Sequence, residues 1–268
     1  MPERGAIRAG VGGWTFEPWR GVFYPAGLRQ KDELNFASRA LTTIEINGTY
    51  HSLQKPESFA KWAADTPDGF VFAVKASRYA TNRKVLAEGG EAITRFLNQG
   101  LTELGARLGP VLWQFMPFKR FDPADFGGFL DLLPDELGGL PLRHVMEVRH
   151  PSFADPAFIE MCRSHKIAIC LADHAKYPLI PDITADFVYA RLMQGSDDIE
   201  TAYPPADLDL WANRLKTYAQ GSLPDGFAPI DPAHAPSPGP HEVFAYVIHE
   251  GKVRAPAAAM ALIERFGV

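Results

Sequence analysis

TTIEINGTYHSLQKPESFAKWAADTPDGFVFAVKA, residues 42–76, holds one complete repeat of the pattern that settles the fold class. Residues 42–46 and 69–74 are short runs rich in β-branched and aromatic side chains, and residues 56–64 between them have helical spacing. FVFAV is apolar at every position, as is IAICLA at residues 167–172. A strand with one wet face alternates apolar with polar side chains. Strands that do not alternate suit a parallel sheet covered by helices.

Outward from this unit the same pattern recurs. Strands are predicted at residues 7–12, 42–46, 69–74, 109–114, 143–148, 166–172, 186–192 and 242–248. Helices are predicted at 31–39, 56–64, 91–108, 123–133, 156–165, 206–219 and 256–266, the clearest being 91–108 with its stripe of Ile93, Phe96, Leu97, Leu101, Leu104 and Leu108. The sixth connection, 173–185, has two prolines and little periodicity, so no full helix is expected there. This is the pattern of an α/β, TIM-type (β/α)8 parallel barrel, irregular in the sixth helix position. The competing open doubly wound sheet usually carries a GxGxxG turn, and GVGGW at residues 10–14 lacks that spacing. The chain reads as one barrel domain over 1–268, with a Pro-rich surface excursion at 221–240.

A chain of 268 residues, 46% hydrophobic, can bury a sizeable core without a disulfide or metal staple. Cys162 and Cys170 match neither a CxxC pair nor a zinc knuckle and read as reduced core thiols. No apolar run approaches the roughly 18 to 20 residues of a membrane span. Residues 1–10 lack the apolar core of a signal peptide, so a cytoplasmic protein without membrane contact is expected. A net charge of −5 counts against wholesale coating of nucleic acid.

In such a barrel the chemistry sits where strands end. There the sequence places Trp14 after strand one, Glu45 and Asn47 at strand two, Lys75 at strand three and Gln114 at strand four. Glu147 and Arg149 follow at strand five, Asp173 at six, Tyr189 and Arg191 at seven, and His249 at eight. Side chains alternate along a strand, so Glu45 with Asn47, Glu147 with Arg149, and Tyr189 with Arg191 each share a face. Three carboxylates and three cations there can balance near neutrality. One explanation is a structural salt-bridge cluster; the other is a wet pocket whose Arg149, Arg191 and Lys75 hold an anion. Histidines show no HxH or HExxH arrangement, so neither a metal nor another cofactor is expected. The aromatics of the first loop and the later Tyr50, Tyr79 and Trp113 either pack over the barrel edge or leave one or two, Trp14 and Tyr50, as a stacking platform.

Several long motifs in order, VGGWTFEPWRGVFYP from Val11, the 42–76 stretch, GPVLWQF from Gly109, EVRHPSF from Glu147 and DFVYARLMQG from Asp186, resemble the YecE-like family, domain-of-unknown-function family 72. The resemblance implies a TIM-type barrel and places Trp14, Glu45, Asn47, Lys75, Gln114, Glu147, Arg149 and Arg191 at the family's usual stations. Family members commonly carry an aromatic and then Arg after the strand-two motif, where this chain has Tyr50 and His51.

The leading expectation is an enzyme acting on a phosphate- or carboxylate-bearing small molecule at the C-terminal mouth, with its class open between hydrolase and lyase. Glu147, Glu45 and Lys75 are its catalytic candidates, a carboxylate moving the proton. Trp14, Asn47, Tyr50, Gln114, Arg149, Asp173, Tyr189, Arg191 and His249 are its ligand-binding candidates. A nucleic-acid-binding or phosphodiesterase-type protein and a barrel scaffold without chemistry stand as alternatives, and the oligomeric state is open.

Overall fold

The computed structural model describes residues 5–234 and 239–267. Eight parallel strands, Ile7–Gly12, Thr43–Ile46, Val71–Lys75, Leu108–Gln114, His144–Glu147, Ala168–Asp173, Phe187–Gln194 and Glu242–Glu250, close into a barrel in chain order. They are called strands one to eight below. Each expected run is a strand, and strands seven and eight reach two residues further toward the mouth than periodicity indicated.

Helices begin where local chemistry starts them. Asp122 accepts from the N–H groups of Ala124 and Asp125, Asp155 accepts from Ala157, and each precedes a proline at the first helical position. The helix expected over 91–108 is broken instead. Gly90–Leu97 is α-helical and Leu101–Arg107 is 3-10, with Gly100 between them at φ 116. A Cβ on Gly100 would lie 2.6 Å from Pro56 Cα, so the start of the neighbouring helix requires glycine there. Both pieces bury the same stripe, which is why the spacing read as one helix. Short helices Gly48–His51 and Arg78–Thr81 and a small antiparallel ladder, Glu136–Leu137 with Leu140–Pro141, carried no signal the periodicity could register. The sixth connection holds no helix.

The core has two layers. One, rich in Trp and Phe, lies between strands and helices; the other, with Leu112, Phe187, Tyr189, Phe244 and Tyr246, fills the barrel. Cys162 belongs to the first and Cys170 to the second, both buried and without a disulfide. Residues 221–234 form neither helix nor strand, yet Phe227 packs against Trp211 and Tyr218, and the Asp182 carboxylate accepts from the N–H groups of Ile230 and Asp231 at 2.8 and 3.0 Å. Residues 235–238 of the Pro-rich segment lie outside the described residues. Among the described residues no helix is long and apolar enough to cross a membrane.

The N-terminal end of the barrel is closed by ions. Glu242, at the start of strand eight, accepts from Arg8 at 2.8 Å and from Arg143 at 2.6 Å, and the Arg143 guanidinium lies over the rings of Phe187 and Phe244. Glu242→Leu leaves both guanidiniums without their carboxylate and is expected to cost about 2 kcal/mol. Thermal denaturation checks this; an unchanged melting temperature would show that the ion cluster does not hold the N-terminal end of the barrel closed.

Candidate functional site

Near the opposite end, the inward positions of strands two, four, five and seven form a continuous polar floor. Arg191 lies between two carboxylates, donating from Nη2 to Glu45 Oε1 at 3.0 Å and from Nη1 to Glu147 Oε2. The Tyr189 hydroxyl donates to Glu45 Oε2 at 2.5 Å. Gln114 Nε2 donates to both Glu147 oxygens at 3.0 Å, and Arg149 reaches Oε1 through Nε at 2.7 Å. All four carboxylate oxygens are therefore occupied, and both glutamates are fully buried. The structural-cluster and wet-pocket readings of these charges each describe one level: the glutamates belong to the floor, and an open cavity lies above them.

Burial alone would raise the Glu147 carboxyl. Arg191, Arg149, Lys75 and the Gln114 bond outweigh it and hold the group at about 2. Because that lies below the ordinary carboxylate value, Glu147 contributes stability that is present above pH ~4.5 and is lost as pH falls toward ~2. The melting temperature is expected to drop across that window, less steeply in Glu147→Gln. Equal slopes in the two proteins would show that the pairing does not carry the acid sensitivity.

Above the floor is a solvent-open cavity of about 390 Å³. Asn47, Tyr50, Lys75, Gln114, Arg149, Arg191 and His249, seven of the sequence candidates, come together around it. Gly12, the last residue of strand one, also lines the cavity, where a Cβ would stand 2.6 Å from Asn47 Nδ2 and push that amide aside. His249 sits at φ 72 within the irregular pairing of strands seven and eight, a distortion that sets its direction at the rim.

Lys75 is the last residue of strand three and is 9% exposed. Among the described residues its Nζ has no hydrogen-bond acceptor and no carboxylate partner. Its close neighbour is the Tyr50 ring, 4.2 Å from Nζ to the centroid. Burial, and then Arg191, lower this amine to about 8 against the pull of Glu45 and Glu147. The Arg191 Nε is likewise buried with no partner among the described residues. Lys75, Arg149 and Arg191 thus stand over two carboxylates and Lys252 also lines the cavity, an excess of cations that favours an anion there.

Other candidates are placed elsewhere. Trp14 packs edge-on against Trp62, with centroids 5.1 Å apart, and against Phe72, and it does not line the cavity. Asp173 does not line the cavity; its Oδ1 accepts from Gln194 at 2.5 Å, which removes the third carboxylate that made the site look neutral. Tyr189 lies in the floor, fully buried. Sequence reasoning missed Trp19, His51 and Lys252, which line the cavity. Trp19 Nε1 donates to the Lys252 carbonyl at 2.8 Å, joining loops 233 positions apart that meet because the last strand closes on the first.

Among the described residues one group, Glu160, Asp231 and His234, has metal-ligand proximity. Arg163 already bonds both carboxylates at 2.9 Å and supplies the positive charge there.

The family model described as protein of unknown function DUF72 matches residues 8–268. The UPF0759 protein YecE of Escherichia coli (strain K12) is 29% identical over 150 residues, 55% of this chain and 50% of that protein. The match therefore spans about half the length of that curated relative. A DUF72 family protein from Thermotoga maritima MSB8 has a TM-score of 0.70 at 22% identity, with 98% of both chains covered. A DUF72 family protein from Enterococcus faecalis V583 has a TM-score of 0.73 at 15% identity, with 100% of both covered. At these identities the two structures show the fold alone.

Proposed function

The chain belongs to the DUF72 family, and from that premise we propose that it is an enzyme acting on a small molecule bearing a phosphate or carboxylate. The observation that carries this reading is the unpaired Lys75 amine beside Arg149 and Arg191 in an open cavity, above carboxylates whose oxygens are all engaged. Arg149 and Arg191 present planar donor forks to the anion. Lys75 is left as the group that reacts with the bound substrate. Glu147 and Glu45, the carboxylates expected to move a proton, hold the arginines in place instead. The open cavity favours this reading over a scaffold filled by its own salt bridges. Two buried thiols without a disulfide support a cytoplasmic setting.

Thermal denaturation in millimolar inorganic phosphate, and in short mono- and dicarboxylates, tests the proposal. Occupancy at a hundred times Kd stabilises by about 2.7 kcal/mol, a rise of several degrees. No stabilisation by any of these anions would overturn it.

A further inference from the structure

Building on the reading of the cavity as an anionic-substrate site, we propose that Lys75 forms a Schiff base, so that the substrate is an anionic carbonyl compound. A 2-oxo acid and a phosphorylated ketone share that chemistry.

The chain has ten lysines, all described, and Lys75 alone is buried. A buried lysine kept for architecture normally holds a carboxylate. The two carboxylates that act on Lys75 are Glu45 and Glu147, and their oxygens are taken by Arg191, Arg149, Tyr189 and Gln114. The amine is therefore left facing a cavity with room for a ligand. Desolvation beside cationic groups is the means by which a lysine becomes nucleophilic near neutral pH, and the fall of Lys75 to about 8 follows from those causes. The Tyr50 ring that holds the ammonium would also hold an iminium, which carries the same charge at the same atom. Arg149 and the unpartnered Nε of Arg191 are left for the anionic end of the substrate.

The step balances without a further reagent. The neutral amine attacks the carbonyl carbon, forming the C–N bond while the carbonyl π pair moves to oxygen. Protons lost from nitrogen pass to that oxygen through cavity water. The nitrogen lone pair then expels the oxygen as water. In net terms an ammonium and a carbonyl give an iminium and one water, with charge and electrons conserved.

The experiment incubates the whole protein with sodium cyanoborohydride and either pyruvate or dihydroxyacetone phosphate near neutral pH, then maps the reduced adduct by peptide mass spectrometry. The expected result is one adduct per chain, on Lys75, formed about tenfold or more faster than on the other lysines, and absent from Lys75→Arg. The probe that labels identifies the class, and labelling by both supports the shared chemistry. Labelling spread over the surface lysines, or none at Lys75, while phosphate still raises the melting temperature, would overturn the Schiff base and leave the anion site standing. A Lys75 adduct without phosphate stabilisation would uphold the Schiff base and remove the phosphate-binding reading. Failure of both would overturn both.

Discussion

Arg191→Leu is expected to lower the melting temperature by about 10 °C or more, or to leave the chain insoluble. The guanidinium bonds Glu45 and Glu147, both fully buried, and its removal leaves Glu45 with the Tyr189 hydroxyl as its remaining side-chain partner. Breaking a buried ion pair from one side costs about 3 to 5 kcal/mol, because the stranded charge keeps its desolvation penalty and loses its compensation. Set against a net stability of about 5 to 15 kcal/mol, that is a large share. A thermal melt followed by circular dichroism measures it, and adding Glu45→Gln should recover part of the loss. A melting temperature within two degrees of the parent, an interval of about 1 kcal/mol or less, would mean that the floor does not hold the barrel together.

Arg149→Met is expected to have the opposite profile: a melting temperature within a few degrees of the parent and no stabilisation by phosphate. Arg149 shares Glu147 with Arg191 and Gln114, which remain in the variant and keep every Glu147 oxygen bonded. Methionine retains an apolar stem beside Tyr177, whose ring lies 4.6 Å from the arginine it replaces. What is lost is a charged donor fork at the cavity wall. A large fall in melting temperature with the phosphate response intact would make Arg149 architectural and place the ligand elsewhere.

The contrast between these two arginines was hidden in the sequence. EVR and YAR each put a cation two positions beyond a polar residue on one strand face, and alternation reveals no more than that. How deep each side chain sits depends on where its strand ends relative to neighbouring strands. Register places Gln114 beside Glu147 and Ala172 beside Arg191. The same limit explains why Trp14 and Asp173 lie away from the cavity. Proximity to a strand end brought both into the candidate set, whereas Trp62 and Gln194, which take up their side chains, lie 48 and 21 positions away.

Eight parallel strands, the helix-free sixth connection, the buried thiols and the convergence of Lys75, Arg149 and Arg191 near one mouth were legible from residue order. They depend on short-range physics: a period of two against one near 3.6, proline's missing donor, and strand ends sharing one side of a parallel barrel. The spending of carboxylate oxygens was not legible. Whether Glu147 is a base or a brace depends on how many donors reach it, and those donors come from strands four and seven and from Arg149, just past the end of strand five. A charge is silenced or left reactive by its neighbours in space; Lys75 remains available because barrel closure paired both glutamates with other groups.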